Sequence, residues 1–311
     1  MEKFNVIKVA SLLIVAIVVF PLVILNLNFH LSPFQWQAVQ NSFYIVIGIA
    51  TACFLLAETT GNCSQVDKIW SVTPVIYTWY FAFENHFEAR TTLMAVCVTI
   101  WGIRLTYNFS RRGAYRLRFW EGEEDYRWEV LRQNPVFKNS KIAWTAFNLF
   151  FISFYQNTLI WLITLPTVMA MSAETRPVDW VDIFLATLFI GLVIFETIAD
   201  QQQWNYQNEK YRKLNAGEPL EGIYAKGFVS TGLWKYMRHP NYFAEQTIWV
   251  TFYFFSVAAT GAWLNPSGIG AVLLLLLFQG SANFSEGISA NKYIAYKEYQ
   301  NKTGKFLPKL F

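Results

Sequence analysis

The sequence predicts an all-α polytopic transmembrane helix bundle of about eight spans, with a cofactor cavity open to the cytoplasmic side. Three observations lead there. The chain has 311 residues, of which 54% are hydrophobic and only 15% charged, whereas a soluble domain carries about 25% charged residues. Apolar stretches near spanning length recur at 6–27, 39–58, 69–83, 91–109, 142–171, 181–200, 243–260 and 267–284, against the roughly 20 residues a helix needs to cross a bilayer. Basic residues gather in alternate connections, as the positive-inside bias requires.

Taken in order, the first run (Val6 to Leu27) lacks a small-residue cleavage site and reads as a retained span. The third is short and aromatic, with Trp70, Tyr77, Trp79, Tyr80, Phe81 and Phe83. If it enters the bilayer only in part, seven spans remain. The fifth is longer than a span needs and should tilt or kink at Pro166. Arg111 to Lys141, Lys210 to Arg238 and Lys292 to Lys309 hold most of the cations, and the opposite connections contain only Arg90 and Arg176. Both termini are therefore expected in the cytoplasm. The three cysteines (Cys53, Cys63, Cys97) follow no spacing pattern, so no disulfide framework is expected. The three histidines form no ligand-like pair, so neither is a metal site.

Polar residues at the span ends carry the chemistry. Gly232-Leu-Trp-Lys-Tyr-Met-Arg238-His239-Pro240-Asn241-Tyr242-Phe-Ala-Glu245 opens the seventh span. Pro240 suits a first helical turn, and Asn241 and Glu245, four apart, share one face. Arg238 and His239 together offer an anion site; singly, they read as a topology anchor and a helix-start residue. Glu58 closes the second span, where a carboxylate without a partner turns toward a cavity. Asp67, with Ser64, either caps the next helix or serves a site. Tyr107, at the end of the fourth span, donates into the bundle interior or belongs to an interfacial aromatic belt. Gly122 to Arg132 reads as a mixed-charge helix capping the bundle. Glu196 and Asp200 share a face at the end of the sixth span, and Asp200 suits the hydroxyls of a ribose or an adenine.

These residues carry a likeness. Gly-Leu-Trp-x-Tyr-x-Arg-His-Pro-Asn-Tyr-Phe-x-Glu at 232–245, Ala-Asp-Gln-Gln at 199–202, Trp-Gly-x-Arg-Leu at 101–105, Asp-Tyr-Arg-Trp at 125–128 and Tyr-x-x-Tyr-Gln at 296–300 together resemble the DUF1295 family. That family belongs to the wider steroid 5-alpha-reductase C-terminal-domain group. The Arg-His-Pro core is shared with isoprenylcysteine and phospholipid methyltransferases; the Asn-Tyr-Phe-x-Glu continuation points to the reductase branch. The resemblance implies an N-terminal transmembrane hairpin over 1–57 and a reductase-like membrane catalytic domain over 58–311. It implies NADPH as cofactor, with NADH left open, and reduction of a C=C bond in a lipophilic enone or enoyl lipid of steroid, isoprenoid or fatty type.

By position, Asp200, Asn241 and Glu245 match the family's cofactor-side residues, and Arg238, His239, Tyr242, Glu286 and Tyr293 complete the candidate set. Glu58 and Tyr107 stand as counterparts of the acid-and-tyrosine pair that polarises the substrate carbonyl. The steroid reductases have a histidine-rich final helix where this chain reads Asn283-Phe-Ser-Glu286. The cofactor's phosphates then fall to Arg238, Arg111, Arg112 or Lys292. Two other readings share these features. One is an S-adenosylmethionine-dependent lipid or prenyl-thiol methyltransferase, using Glu286. The other is a lipid-binding membrane protein without catalysis. The expected partners are a lipophilic small molecule and membrane lipids, with no nucleic acid and no metal.

Overall fold

In the computed structural model, residues 31–118, 120–171 and 176–309 are described. The span expected at 6–27 lies outside them. The architecture is all-helical, and among the described residues the only β-pairing is an isolated bridge between Met237 and Gly304. Four helices are long and apolar enough to cross a membrane: Pro33–Thr60, Lys141–Met169, Trp180–Asn215 and Gly268–Lys292. They coincide with the apolar runs at 39–58, 142–171, 181–200 and 267–284.

Helix α1 (Pro33–Thr60) begins with a capping box, in which Ser32 Oγ accepts from Gln35 N at 3.2 Å and Gln35 Oε1 from Ser32 N at 3.0 Å. It ends at Gly61, whose φ of 72° lets its N–H close on the Ala57 carbonyl. A short α2 (Gln65–Ile69) follows, then α3 (Thr73–Glu84) and α4 (Ala89–Ser110). The apolar run at 69–83 thus yields only the 12 residues of α3. At 1.5 Å per residue that is about 18 Å, short of a hydrocarbon core of about 30 Å. Helix α4 crosses α3 closely at Gly102, where a Cβ would stand 2.6 Å from the Ser71 carbonyl oxygen.

After α5 (Tyr126–Arg132) and α6 (Pro135–Lys138), the long apolar segment is built from α7 (Lys141–Phe147), a π-helix (Asn148–Tyr155), α8 (Gln156–Leu162) and α9 (Pro166–Met169). The kink expected at Pro166 is present: a turn at 163–165 interrupts the helix and Pro166 restarts it. Beyond it lie α10 (Trp180–Asn215), α11 (Pro240–Thr260), α12 (Gly268–Lys292) and α13 (Tyr296–Lys302). Pro240 occupies the first turn of α11, as the sequence suggests.

The chain divides into two compact units. Among the described residues, one takes 31–187 together with Phe252–Ala271, and the other takes Leu188–Thr251 with 272–309. In the first unit, Trp161 Nε1 donates to Ser42 Oγ at 2.9 Å and Gln35 Nε2 to the Val168 carbonyl at 2.9 Å, tying α8 and α9 to α1. Arg90 and Asp182, 1% and 0% exposed, form a bidentate ion pair at 2.7 and 2.8 Å. The Arg90 guanidinium also donates to the carbonyls of Arg176 and Pro177. The three cysteines are buried and free.

Candidate functional site

In the second unit, α10, α11, α12 and the C-terminal segment bring the 232–245 motif together with Asp200, Glu286 and Tyr293. Helix α10 turns one face inward over several turns. Glu196, Ala199, Asp200, Tyr206 and Lys210, which recur at helical spacing along that face, are all buried. Asn241, at the start of α11, donates its amide to Asp200 Oδ1 at 3.0 Å, and its own Oδ1 accepts from Tyr242 N at 3.0 Å. One turn after Asp200, the buried Oε1 of Gln203 has no hydrogen-bond partner among the described residues. Glu245, buried a turn beyond Asn241, accepts from Trp249 Nε1 at 3.0 Å.

Arg238 is placed differently from the expectation. Instead of an open anion site, it meets an anion supplied by the protein. Its Nε and Nη2 donate to the two Glu286 oxygens at 2.7 and 3.2 Å. Its Nη1 donates to the carbonyls of Gln300, at 2.9 Å, and Thr303. Four of the five guanidinium N–H groups are committed. His239 Nε2 lies 2.9 Å from the same Glu286 oxygen, and Gln300 Nε2 donates to the other at 2.8 Å. Backbone bonds from Arg238 N to the Gly304 carbonyl and from His239 N to the Lys305 carbonyl complete a clamp on the C-terminal segment. A ligand phosphate would have to displace Glu286 from a buried pair, so Arg238, His239 and Glu286 act here as a support. The Tyr242 ring stacks on His239 at 5.1 Å and meets the Phe278 ring edge-on.

The loop feeding this motif is shaped by aromatics and two glycines. Trp234 Nε1 donates to the Ala199 carbonyl at 3.0 Å, and the Tyr299 hydroxyl donates to the Trp234 carbonyl. Burial pushes the Tyr299 phenol up from its usual range. Gly232 (φ 59°) presents its following N–H to Gln202 Oε1 at 2.9 Å. Gly227 (φ 78°) lies against the Tyr293 ring, where a Cβ would come within 2.4 Å of a ring carbon.

In the first unit, Glu58 accepts from Thr145 Oγ1 at 3.0 Å and Asn148 Nδ2 at 2.8 Å. The Tyr107 side chain is exposed, with the Arg111 guanidinium over its ring at 5.8 Å. It borders an open, mostly apolar groove of about 410 Å³ with Ser71, Val75, Gly102 and Thr106. No hydrogen bond joins Glu58 to Tyr107, so the pair expected by span position is not assembled. The reason is local: the last turn of α1 meets a hydroxyl and an amide where α7 passes into the π-helix. Arg111 is held by Asn108 Oδ1 at 3.0 and 2.6 Å. Arg112 is exposed and acts on Asp125 through its charge.

Residues 120–134 dock on the turn after α1. Glu124 accepts from Cys63 N at 2.6 Å and from Arg132 at 2.5 and 2.7 Å. Ser64 Oγ accepts from Asp125 N at 2.9 Å, and Asp67 Oδ2 from Trp128 Nε1 at 3.1 Å. Asp67 is therefore a docking residue and makes no cap on α2. Burial, reinforced by Asp125, raises the Asp67 pKa. Burial works against the Asp125 carboxylate too, but Arg127 outweighs it and holds that pKa below the usual value. The Cys63 thiol is pushed up to about 12 by burial. That is the opposite of an activated nucleophile.

With this geometry in place, the comparisons with known proteins can be read. Residues 53–303 match the family described as "Protein of unknown function (DUF1295)". The chain belongs to the DUF1295 family. A curated relative, an uncharacterized protein of Schizosaccharomyces pombe, is 36% identical over 265 residues, covering 81% of this chain and 74% of the relative. No solved structure matches. The match takes in Glu58, Tyr107, Asp200, the Arg238–Glu245 motif and the Glu286 clamp. Sequence reasoning missed the roles of Lys210, Tyr206, Gln300 and Thr303. In the sequence Lys210 reads as one more topology charge, and nothing there marks the carbonyls that Arg238 holds.

Proposed function

We propose that this DUF1295 protein is a multi-pass membrane reductase, of about eight spans with both termini cytoplasmic, that uses NAD(P)H on a C=C bond of a lipophilic enone or enoyl lipid. The observation that carries the reading is the Asn241–Asp200 bond at 3.0 Å, with the partnerless Gln203 oxygen on the same face of α10. A buried polar atom left without a partner is costly unless a ligand completes it. A carboxylate, an amide and a spare acceptor suit the hydroxyls of a ribose and the donors of an adenine or a carboxamide.

A bound nicotinamide supplies two electrons as hydride. The chain's own residues do the rest. Asp200, Asn241 and Gln203 hold polar groups of the cofactor, and Tyr242, kept upright by His239 and Phe278, offers a ring for packing. The Glu286 clamp fixes the start of α11 so that Asn241 keeps its aim. The occupied state of Glu286 weighs against the methyltransferase reading, which needs that carboxylate for the methyl donor.

The test is thermal stabilisation of the detergent-purified protein by NADPH, NADH and S-adenosylmethionine, since a ligand of the native state raises stability by mass action. A shift with a nicotinamide cofactor, abolished in Asn241→Ala, is expected. Stabilisation by the methyl donor alone would sink the reductase reading. A folded sample that responds to none of the three would leave a lipid-binding protein without catalysis.

A further inference from the structure

Lys210 is 4% exposed, yet among the described residues no carboxylate lies within ion-pair distance of its ammonium. Its neighbours on the same helix are treated otherwise: Arg212 pairs with Glu209 and Glu218 at 2.9 Å, and Lys213 pairs with Glu218 at 3.3 Å. The buried cation is left to neutral groups. Its Nζ donates to the Gly227 carbonyl at 3.1 Å and to the Tyr293 hydroxyl at 3.4 Å. It lies 4.9 Å from the Tyr211 ring centre and 5.8 Å from that of Tyr293. An ammonium has three donors, and two neutral oxygens do not offset its charge.

A second observation points the same way. One turn earlier on that face, Tyr206 is 4% exposed and its hydroxyl has no hydrogen-bond partner among the described residues. Its ring stacks on Tyr224 at 5.0 Å. Further cations stand around this aromatic box, with Lys213 5.9 Å from the Tyr224 ring and Lys292 5.4 Å from the Tyr293 ring. A buried cation lacking a counter-ion and a buried phenol lacking an acceptor are both completed by one kind of group, a compact oxyanion.

We infer that Lys210, Tyr206 and Tyr293 form a binding site for a phosphate group, separate from the Arg238–Glu286 clamp. Lys210 supplies the charge, the Tyr206 and Tyr293 hydroxyls supply directed donors, and Lys213 and Lys292 add long-range attraction. The phosphate belongs either to a soluble nucleotide or to a lipid headgroup. The site stands independently of the reductase reading, because any phosphate-bearing ligand satisfies it.

The experiment uses the full chain in a neutral detergent and three probes: inorganic pyrophosphate, adenosine 2′,5′-bisphosphate, and phosphatidic acid in phosphatidylcholine bicelles. Binding is read by calorimetry and by the melting midpoint. Pyrophosphate is expected to bind and to raise the midpoint. Lys210→Met should weaken it by about tenfold or more, the loss of a charge-assisted contact. Tyr206→Phe is the sharper variant, because it removes an oxygen that bonds to none of the described residues. A purely structural tyrosine predicts unchanged phosphate affinity, whereas the site predicts a loss of about fivefold or more. Preference for the bisphosphate assigns the phosphate to a nucleotide, and preference for phosphatidic acid to a headgroup. Wild-type protein blind to all three probes, or full affinity in Tyr206→Phe, overturns the inference. A failed NADPH shift alongside intact pyrophosphate binding would remove only the reductase reading.

Discussion

Replacing Glu286 by glutamine tests the clamp most directly. The substitution keeps volume and leaves a carbonyl oxygen, but it removes the charge that receives two bonds from Arg238, one from His239 and one from Gln300. Arg238 is 9% exposed and Glu286 5%, so little water is at hand to replace the lost partner. Breaking one side of a buried, hydrogen-bonded ion pair costs about 3–5 kcal/mol. The lower end corresponds to a little over a hundredfold in an opening equilibrium. What opens is local: the segment through Gln300, Thr303, Gly304 and Lys305 is held to the Arg238–His239 backbone and guanidinium. Native-state trypsin digestion reads this directly through cleavage after Lys297, Lys302 and Lys305, since cleavage of a transiently opened segment follows its opening free energy. The expected result is cleavage about two orders of magnitude faster in Glu286→Gln. Arg238→Met should act similarly, and the double variant should fall well short of the sum of the two. A change under about threefold in Glu286→Gln, or strict additivity, would refute the clamp.

Three further outcomes are expected. Asp182→Asn strands the Arg90 guanidinium in a site where both partners are essentially unexposed, and should lower unfolding stability in detergent by about 3 kcal/mol or more; a loss below about 1 kcal/mol would contradict the pair. Gly227→Ala forces a φ of 78° on an L-residue and drives a methyl into the Tyr293 ring, so destabilisation of about 1–3 kcal/mol should accompany loss of pyrophosphate binding. Asp67 has a folded pKa raised above the unfolded 3.8. Its ionised form therefore weakens the fold at neutral pH, and that penalty fades as pH falls through the folded value toward 3.8. Asp67→Asn, which keeps an acceptor for the Trp128 indole, should be at least as stable as wild type at pH 7 and lose its advantage near pH 4; a net loss at pH 7 would show the charge to be needed.

Helix existence was legible because long apolar runs leave little choice: 142–171, 181–200 and 267–284 each became a helix near the expected place. The run at 69–83 misled because aromatic content reads as apolar length, whereas Pro74 and the turn at Asn85–Glu88 confine α3 to 12 residues. Asp200 and Asn241 belonged to one candidate site on sequence grounds, and the structure joins them. Glu286 was drawn to the same site, but its partner is Arg238, 48 positions away, and residue type alone does not say whether an arginine will meet a ligand or a carboxylate. Lys210 was hidden for a related reason. In a basic loop every lysine serves the topology rule equally well, and only burial and the whereabouts of Glu209 and Glu218 set Lys210 apart from Arg212 and Lys213.

The π-helix between α7 and α8 has a consequence for how this chain tolerates change in length. Along it Phe147, Phe151 and Tyr155 stack at 5.0 and 5.4 Å, a ladder of rings four residues apart. A wider turn of this kind amounts to an inserted residue in an otherwise regular helix. Deleting one residue there would tighten the coil and rotate everything beyond it by about 100°. Trp161 would swing away from Ser42. Point substitutions in this stretch should be absorbed, whereas a one-residue deletion should act on the bundle like a key turned in a lock.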